Sequence, residues 1–321
     1  MSFLYYFRQV QASNFVINKQ TMKRYFFLAI LSMQIMIAGA QSPSFTGLQP
    51  LSTDSIHVYF SEGYKERAAV ISARMHKAMD YYSMLLKSKP TVTLLVLAET
   101  DWKNFTSFPV YGMPHYKDDQ TLVVAAHDNA FWKSFLPPLD QLKPELRKQI
   151  EKVYSNTDGS ITMQPFFDLL ALHELGHAYH FQDSLNMQRK WLGELFVNML
   201  LHTYVAENEA ASLPALTLFP QMVIAAGTSG YVYTSLKDVD ERYNEIGMRH
   251  AKNYGWYQSR WHAAAASIYD TAGKDVVIHL WKALSAKKER MDEEALINYL
   301  ETSEVKPVAS MIRNWDASII K

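Results

Sequence analysis

Apolar and polar positions follow two different periods along this chain, and the change of period divides it. "DSIHVYF" (54–60) alternates residue by residue, the spacing of a half-buried strand, and 62–88 repeats apolar residues every three or four positions, as an amphipathic helix does. "PTVTLLVLAE" (90–99) and "QTLVVAAHD" (120–128) are β-branched, aliphatic runs that predict two more strands, with a loop rich in Trp, Pro and Gly up to "YGMPHY" between them. Pro137-Pro138 and "SNTDGS" (155–160) break the chain on either side of a polar helix over 140–154. From Pro165 the helical period takes over, predicting helices over 165–183, 189–210, 214–226, 236–253, 256–271, 274–286, 291–301 and 305–319. The expected class is α+β: an αβ half with a small sheet (41–183), then a mostly helical half (184–321).

The first forty residues have the pattern of an address. Met22 opens "MKRYFFLAILSMQIMIAGAQSP", in which Lys23 and Arg24 precede an apolar run that ends in Ala38-Gly39-Ala40. This is the layout of a secretory signal peptide cleaved after Ala40, and it places the expected translation start at Met22. The run from Tyr25 to Ala38 is 14 residues with Ser32 and Gln34 inside it, shorter than the roughly 20 a spanning helix needs. No stable membrane anchor is expected after cleavage, and the mature protein is expected to be exported, periplasmic or secreted.

Charge and cysteine content then remove several function classes. The chain has 32 basic and 32 acidic side chains, and the first forty residues hold Arg8, Lys19, Lys23 and Arg24 but no acid, which leaves 28 basic groups against 32 acidic ones. A chain of that balance has no footprint for nucleic acid. There is no cysteine, so disulfides, thiol nucleophiles and thiolate ligands are excluded. Stability must come from the core, which 321 residues at 48% hydrophobic content permit.

The candidate chemistry lies where the two halves meet, in "LLALHELGHAYHF" (169–181). At 100° per residue His173 and His177 lie about 40° apart and one turn up the same helix face, so both imidazoles can reach one metal ion. Glu174 points about 100° away, beside the ion, where a general base takes a proton from water. With 11 histidines in the chain, H-E-x-x-H is expected by chance about 0.02 times. The alternative is an ordinary buried helix, since Leu169, Leu170, Leu172, Leu175, Ala178 and Phe181 make this segment apolar nearly all round. What separates the two is a third ligand.

His180 lies too far along the axis to close a tetrahedron with the other two. "RKWLGELFVNMLLHTYVAENEA" offers Glu194, Glu207 and Glu209. From His177 the helix rises about 9 Å to Asp183, turns through "SLNM", and descends a similar length from Arg189, which brings Glu194 level with His177; Glu207 would lie about 20 Å farther on. His173, His177 and Glu194 are therefore the expected ligands of one Zn²⁺, with a position left open, as a catalytic site requires.

His173-Glu174-x-x-His177 followed by Trp191-Leu192-Gly193-Glu194 resembles the gluzincin metallopeptidases, particularly the aminopeptidase N-like branch. The resemblance implies a thermolysin-like catalytic domain and hydrolysis of peptide or protein substrates. It also implies that Asn198 stands where many members use a carboxylate to orient the first zinc histidine, and that Tyr257 supports the oxyanion, with Tyr254 and His262 as alternates. The branch's amine-binding Glu has no counterpart near "YGMPHY" (111–116). "TLVVAAHDNAFW" (121–132) is a candidate edge strand for an extended peptide, with a core strand as the default, and His57, His76, His115 and His250 are expected to be surface or satisfied histidines. Two other functions share the motif: a zinc hydrolase acting on a non-peptide substrate such as an epoxide, and a non-catalytic exported binding protein with a relic site.

Overall fold

Strands and helices fall close to the expected spans. The computed structural model describes residues 45–53 and 56–317, so the signal-peptide reading of 1–40 lies outside it. Five strands form one sheet in the order β1-β2-β3-β5-β4, from β1 (Gln49–Leu51), β2 (His57–Phe60), β3 (Thr93–Leu97), β4 (His115–Tyr116) and β5 (Thr121–Ala125). β2, β3 and β5 are parallel, and the edge strands β1 and β4 run antiparallel to their neighbours. β3 and β5 are buried along their whole length, which is why they read as continuous apolar runs rather than alternating ones.

Helix α1 (Lys65–Leu86) links β2 to β3 and packs on the sheet; α2 (Glu99–Phe105), α3 (Ala130–Lys133) and α4 (Pro144–Val153) are shorter. The helical half comprises α5 (Gln164–Gln182), α6 (Lys190–Asn208), α7 (Leu213–Ala225), α8 (Leu236–Arg249), α9 (Ala251–Ala272), α10 (Asp275–Ala286), α11 (Glu293–Thr302) and α12 (Lys306–Arg313). One continuous apolar cluster runs from the sheet through α1 and α5 into the helical half, so the two halves share a core. Arg67 on α1 also makes a two-pronged ion pair with Asp168 near the start of α5.

Two expectations change, and one strand is new. The default core-strand reading of 121–132 holds for 121–125, since β5 lies between β3 and β4, while the edge-strand alternative fails and 130–132 forms the short α3, capped by the Asn129 side chain on the Trp132 N–H at 3.0 Å. The edge on that side is β4, two residues that carried no strand signal in a loop full of Pro and Gly. Gly112, just before it, holds a φ of 106°, and a Cβ there would meet Asn129 at 2.8 Å. Finally, the helix expected over 256–271, which would put Tyr257 at its opening, starts earlier: α9 begins at Ala251 and places Tyr257 nearly two turns in.

His57 is exposed and His115 is buried, its Nδ1–H donating to the Met113 carbonyl at 2.8 Å and its Nε2 accepting from the Thr106 hydroxyl at 2.6 Å. Burial lowers the His115 pKa to about 4. That lies below the unfolded value of about 6.5, so the unfolded chain binds a proton the folded one refuses. The stability held by neutral His115 is complete above about pH 6.5 and is lost as pH falls toward 4. Burial pushes His177 and His262 the same way, to about 3. Denaturant titrations should show stability falling from pH 7 to 4.5, and His115→Gln should flatten that slope by up to about 3 kcal/mol; an unchanged slope would assign the acid sensitivity to other groups.

Candidate metal site

Helix α5 begins with Pro165 in its first turn and is buried on nearly every face, so its imidazoles point into protein. The turn to α6 is tight. Ser184 and Gln188 adopt left-handed φ values of 51° and 61°, and the Gln188 amide fixes the loop by donating to the Glu289 carbonyl and accepting from the Met291 N–H, both at 2.8 Å. Asp240 of α8 caps the first turn of α6 by accepting from the Lys190 N–H at 2.9 Å. At the crossing, Gly176 lets α5 approach α6 closely, since a Cβ there would lie 3.1 Å from that of Val197. Glu194 is thereby level with His177, and Asn198 with His173, as an antiparallel pair requires.

His173, Glu174 and His177 form a group whose ligand atoms lie within 4.8 Å of one another and which could hold a metal ion. Glu194 joins it. Its Oε2 is 3.3 Å from His173 Nε2 and 3.6 Å from His177 Nε2, and the two nitrogens are 3.2 Å apart. The three side chains are 2%, 1% and 1% exposed.

The protons around this triangle can be placed. Asn198 donates its amide to the Glu194 backbone carbonyl at 2.9 Å, which turns Oδ1 toward His173 Nδ1 at 3.2 Å. His173 Nδ1 must then carry the hydrogen, and Nε2 a lone pair. His177 Nδ1 is 2.9 Å from His180 Nε2, and burial keeps both imidazoles neutral. In the tautomer whose Nδ1–H donates to His180, His177 presents the Nε2 lone pair to the same point. Glu194 accepts from the Tyr243 hydroxyl at 2.6 Å and from the Gln258 amide at 2.9 Å, two donors that favour a carboxylate. Two imidazole nitrogens and a carboxylate oxygen thus converge at 3.2 to 3.6 Å, a set of ligand atoms spaced to take up one cation.

Glu174 differs from Glu194 in lacking such donors. Its Oε2 is buried without a hydrogen-bond partner, and burial raises its pKa to about 7. Tyr116, on the edge strand β4, packs edge-on against Phe181, which stacks on the His177 ring, and the Tyr116 hydroxyl is also buried without a partner.

The remaining candidates are dispersed. The Tyr257 hydroxyl donates to the Ser235 carbonyl at 2.8 Å and its ring stacks on Trp261 and Trp315, away from the ligands. Tyr254 does reach the site: its hydroxyl is 2.9 Å from that of Tyr243 and accepts from Gln258 at 2.8 Å. The His262 ring lies 6.1 Å from that of His173. His180 is behind His177 rather than among the ligand atoms. Glu207 bonds Tyr269 and Lys274, and Glu209 bonds Arg74 and Tyr204, both at the far end of α6.

Tyr243 and Gln258 are the site residues that sequence reasoning missed. Gln258 had a signal, because Tyr254, Gln258 and His262 recur every four residues and so share the face of α9 turned to the ligands. Tyr243 had none, being 49 residues from Glu194 on another helix. Among the described residues no helix is long and apolar enough to cross a membrane. Comparison with protein-family models, with curated proteins and with solved structures finds no match for this chain.

Proposed function

We propose that the protein is an exported zinc-dependent peptidase of the gluzincin kind, with His173, His177 and Glu194 holding one Zn²⁺ per chain. The observation that carries the reading is the triangle formed by His173 Nε2, His177 Nε2 and Glu194 Oε2. Ligands about 2.0–2.1 Å from a tetrahedral ion stand about 3.3 Å from each other, and the sides here are 3.2, 3.3 and 3.6 Å. Two imidazoles and one carboxylate are a donor set that suits zinc and leaves a fourth position free. When bound, Zn²⁺ would supply Lewis-acid polarisation of a carbonyl and make water a nucleophile near neutral pH.

The chain's own groups do the rest. Glu174 takes the proton of the attacking water on its unpartnered Oε2 and delivers it to the departing amine. The Tyr257 hydroxyl is spent on Ser235, and Tyr254, nearer the ligands, could serve the oxyanion only by turning its hydroxyl hydrogen away from Tyr243. Asn198 and His180 fix the tautomers of the two ligand imidazoles through neutral acceptors. His180→Ala should therefore weaken zinc binding by about 10–100-fold while the fold is kept, measured by competition with a fluorescent chelator; unchanged affinity would remove His180 from the site.

The test of the function is metal analysis of the purified protein together with mass-spectrometric mapping of cleavage in a peptide pool. One zinc per chain and a reproducible cleavage pattern abolished by chelation are expected. Stoichiometric zinc with turnover of epoxides and none of peptides would replace the reaction while leaving the site.

A further inference from the structure

The hydrogen bonds around Glu194 close into a ring, and the ring leaves one acceptor over. Tyr243 spends its proton on Glu194 Oε1, so the hydroxyl bond between the tyrosines must be donated by Tyr254. The two amide hydrogens of Gln258 go to Glu194 Oε2 at 2.9 Å and to the Tyr254 oxygen at 2.8 Å. This settles the orientation of the Gln258 amide, since the reverse would face its oxygen to a carboxylate. Gln258 Oε1 is then locked in place, buried, and without a hydrogen-bond partner.

Its position is bounded by covalent geometry. The oxygen and nitrogen of an amide are about 2.2 Å apart, so Oε1 lies at most about 5 Å from Glu194 Oε2, the oxygen that faces both imidazoles. A buried unmet acceptor costs about 1–3 kcal/mol, and its occurrence beside the ligands is explained if a ligand supplies the missing donor. The second unmet acceptor, Glu174 Oε2, already has a proton to receive from water.

We propose that Gln258 Oε1 accepts the N–H of the bound substrate, which restricts the substrate class to molecules with an amide hydrogen beside the reacting carbonyl and disfavours esters and epoxides. A site built to receive an N–H rejects analogues without one because its acceptor is then left buried and unpaired. The inference rests on the peptidase reading for the identity of the substrate, although the contact itself can be read separately.

The test uses the full chain loaded with zinc and two small chelating probes, acetohydroxamic acid and its N-methyl derivative, with affinities measured by calorimetry. The wild type should prefer the N–H probe by about threefold to tenfold, the worth of one net hydrogen bond. Gln258→Met should abolish the preference. Gln258→Lys, which keeps a donor for Glu194 and removes the acceptor, should abolish it too, and serves if the methionine variant fails to load zinc. A preference that is absent in the wild type, or that survives in either variant, overturns the proposal. Peptide cleavage without an N–H preference defeats this inference alone; a Gln258-dependent preference without peptide cleavage upholds it and defeats the peptidase reading.

Discussion

Glu174→Gln should bind one zinc per chain as the wild type does and hydrolyse peptides about 10²–10⁴-fold more slowly, the usual contribution of a positioned general base. The substitution keeps the shape of the side chain and replaces the buried, unpartnered Oε2 by a group of the same size. If the amide nitrogen occupies that place, a donor stands where the proton must be received. Metal content should barely change, because none of the bonds that orient His173, His177 or Glu194 involves Glu174. The reading is checked by pairing metal analysis with single-substrate kinetics on the same sample. Hydrolysis retained within a few-fold of wild type would remove Glu174 from the chemistry, whereas lost zinc would make it a ligand.

What could be read from the chain alone follows from the range of the forces involved. The ligand triangle lies within the short stretch from His173 to Glu194 and is set by helix rise and one short turn, so spacing sufficed to bring Glu194 opposite His177. The helices of the second half were legible for a similar reason, each being long and periodic enough to mark its own face. β4 is two residues held by pairing with β5, and nothing local announces it. The Tyr257 expectation came from a resemblance counted along the chain, and it failed because α9 begins a turn and a half earlier, which turns the Tyr257 ring into the Trp256, Trp261 and Trp315 cluster and presents Tyr254 and Gln258 to Glu194 instead. Hydrogen bonds of this kind depend on which faces three separate helices turn to one another, and that is decided by packing across the shared core.

Removing the carboxylate should have the second large effect. Glu194→Ala is expected to carry no stoichiometric zinc, since two imidazoles remain where three ligands stood. For the wild type, free zinc at 1,000 times its dissociation constant should stabilise the fold by about 4 kcal/mol, visible as a rise in Tm, and the variant's Tm should not respond. The metal-free variant has a further cost: Tyr243 and Gln258 lose the acceptor they share, at about 1–3 kcal/mol for each buried donor left unmet. Glu194→Gln separates these two consequences. Its amide oxygen can still accept from Tyr243, and one amide hydrogen can meet His173 Nε2 or His177 Nε2, where the wild type brings three ligand atoms within 3.2 to 3.6 Å of one another. The Gln258 amide can turn over to receive the remaining hydrogen. The glutamine variant should therefore match or exceed the metal-free wild type in Tm while showing no response to zinc. A zinc-induced rise in Tm in both variants would mean that the ion is held elsewhere, and the triangle would lose its function.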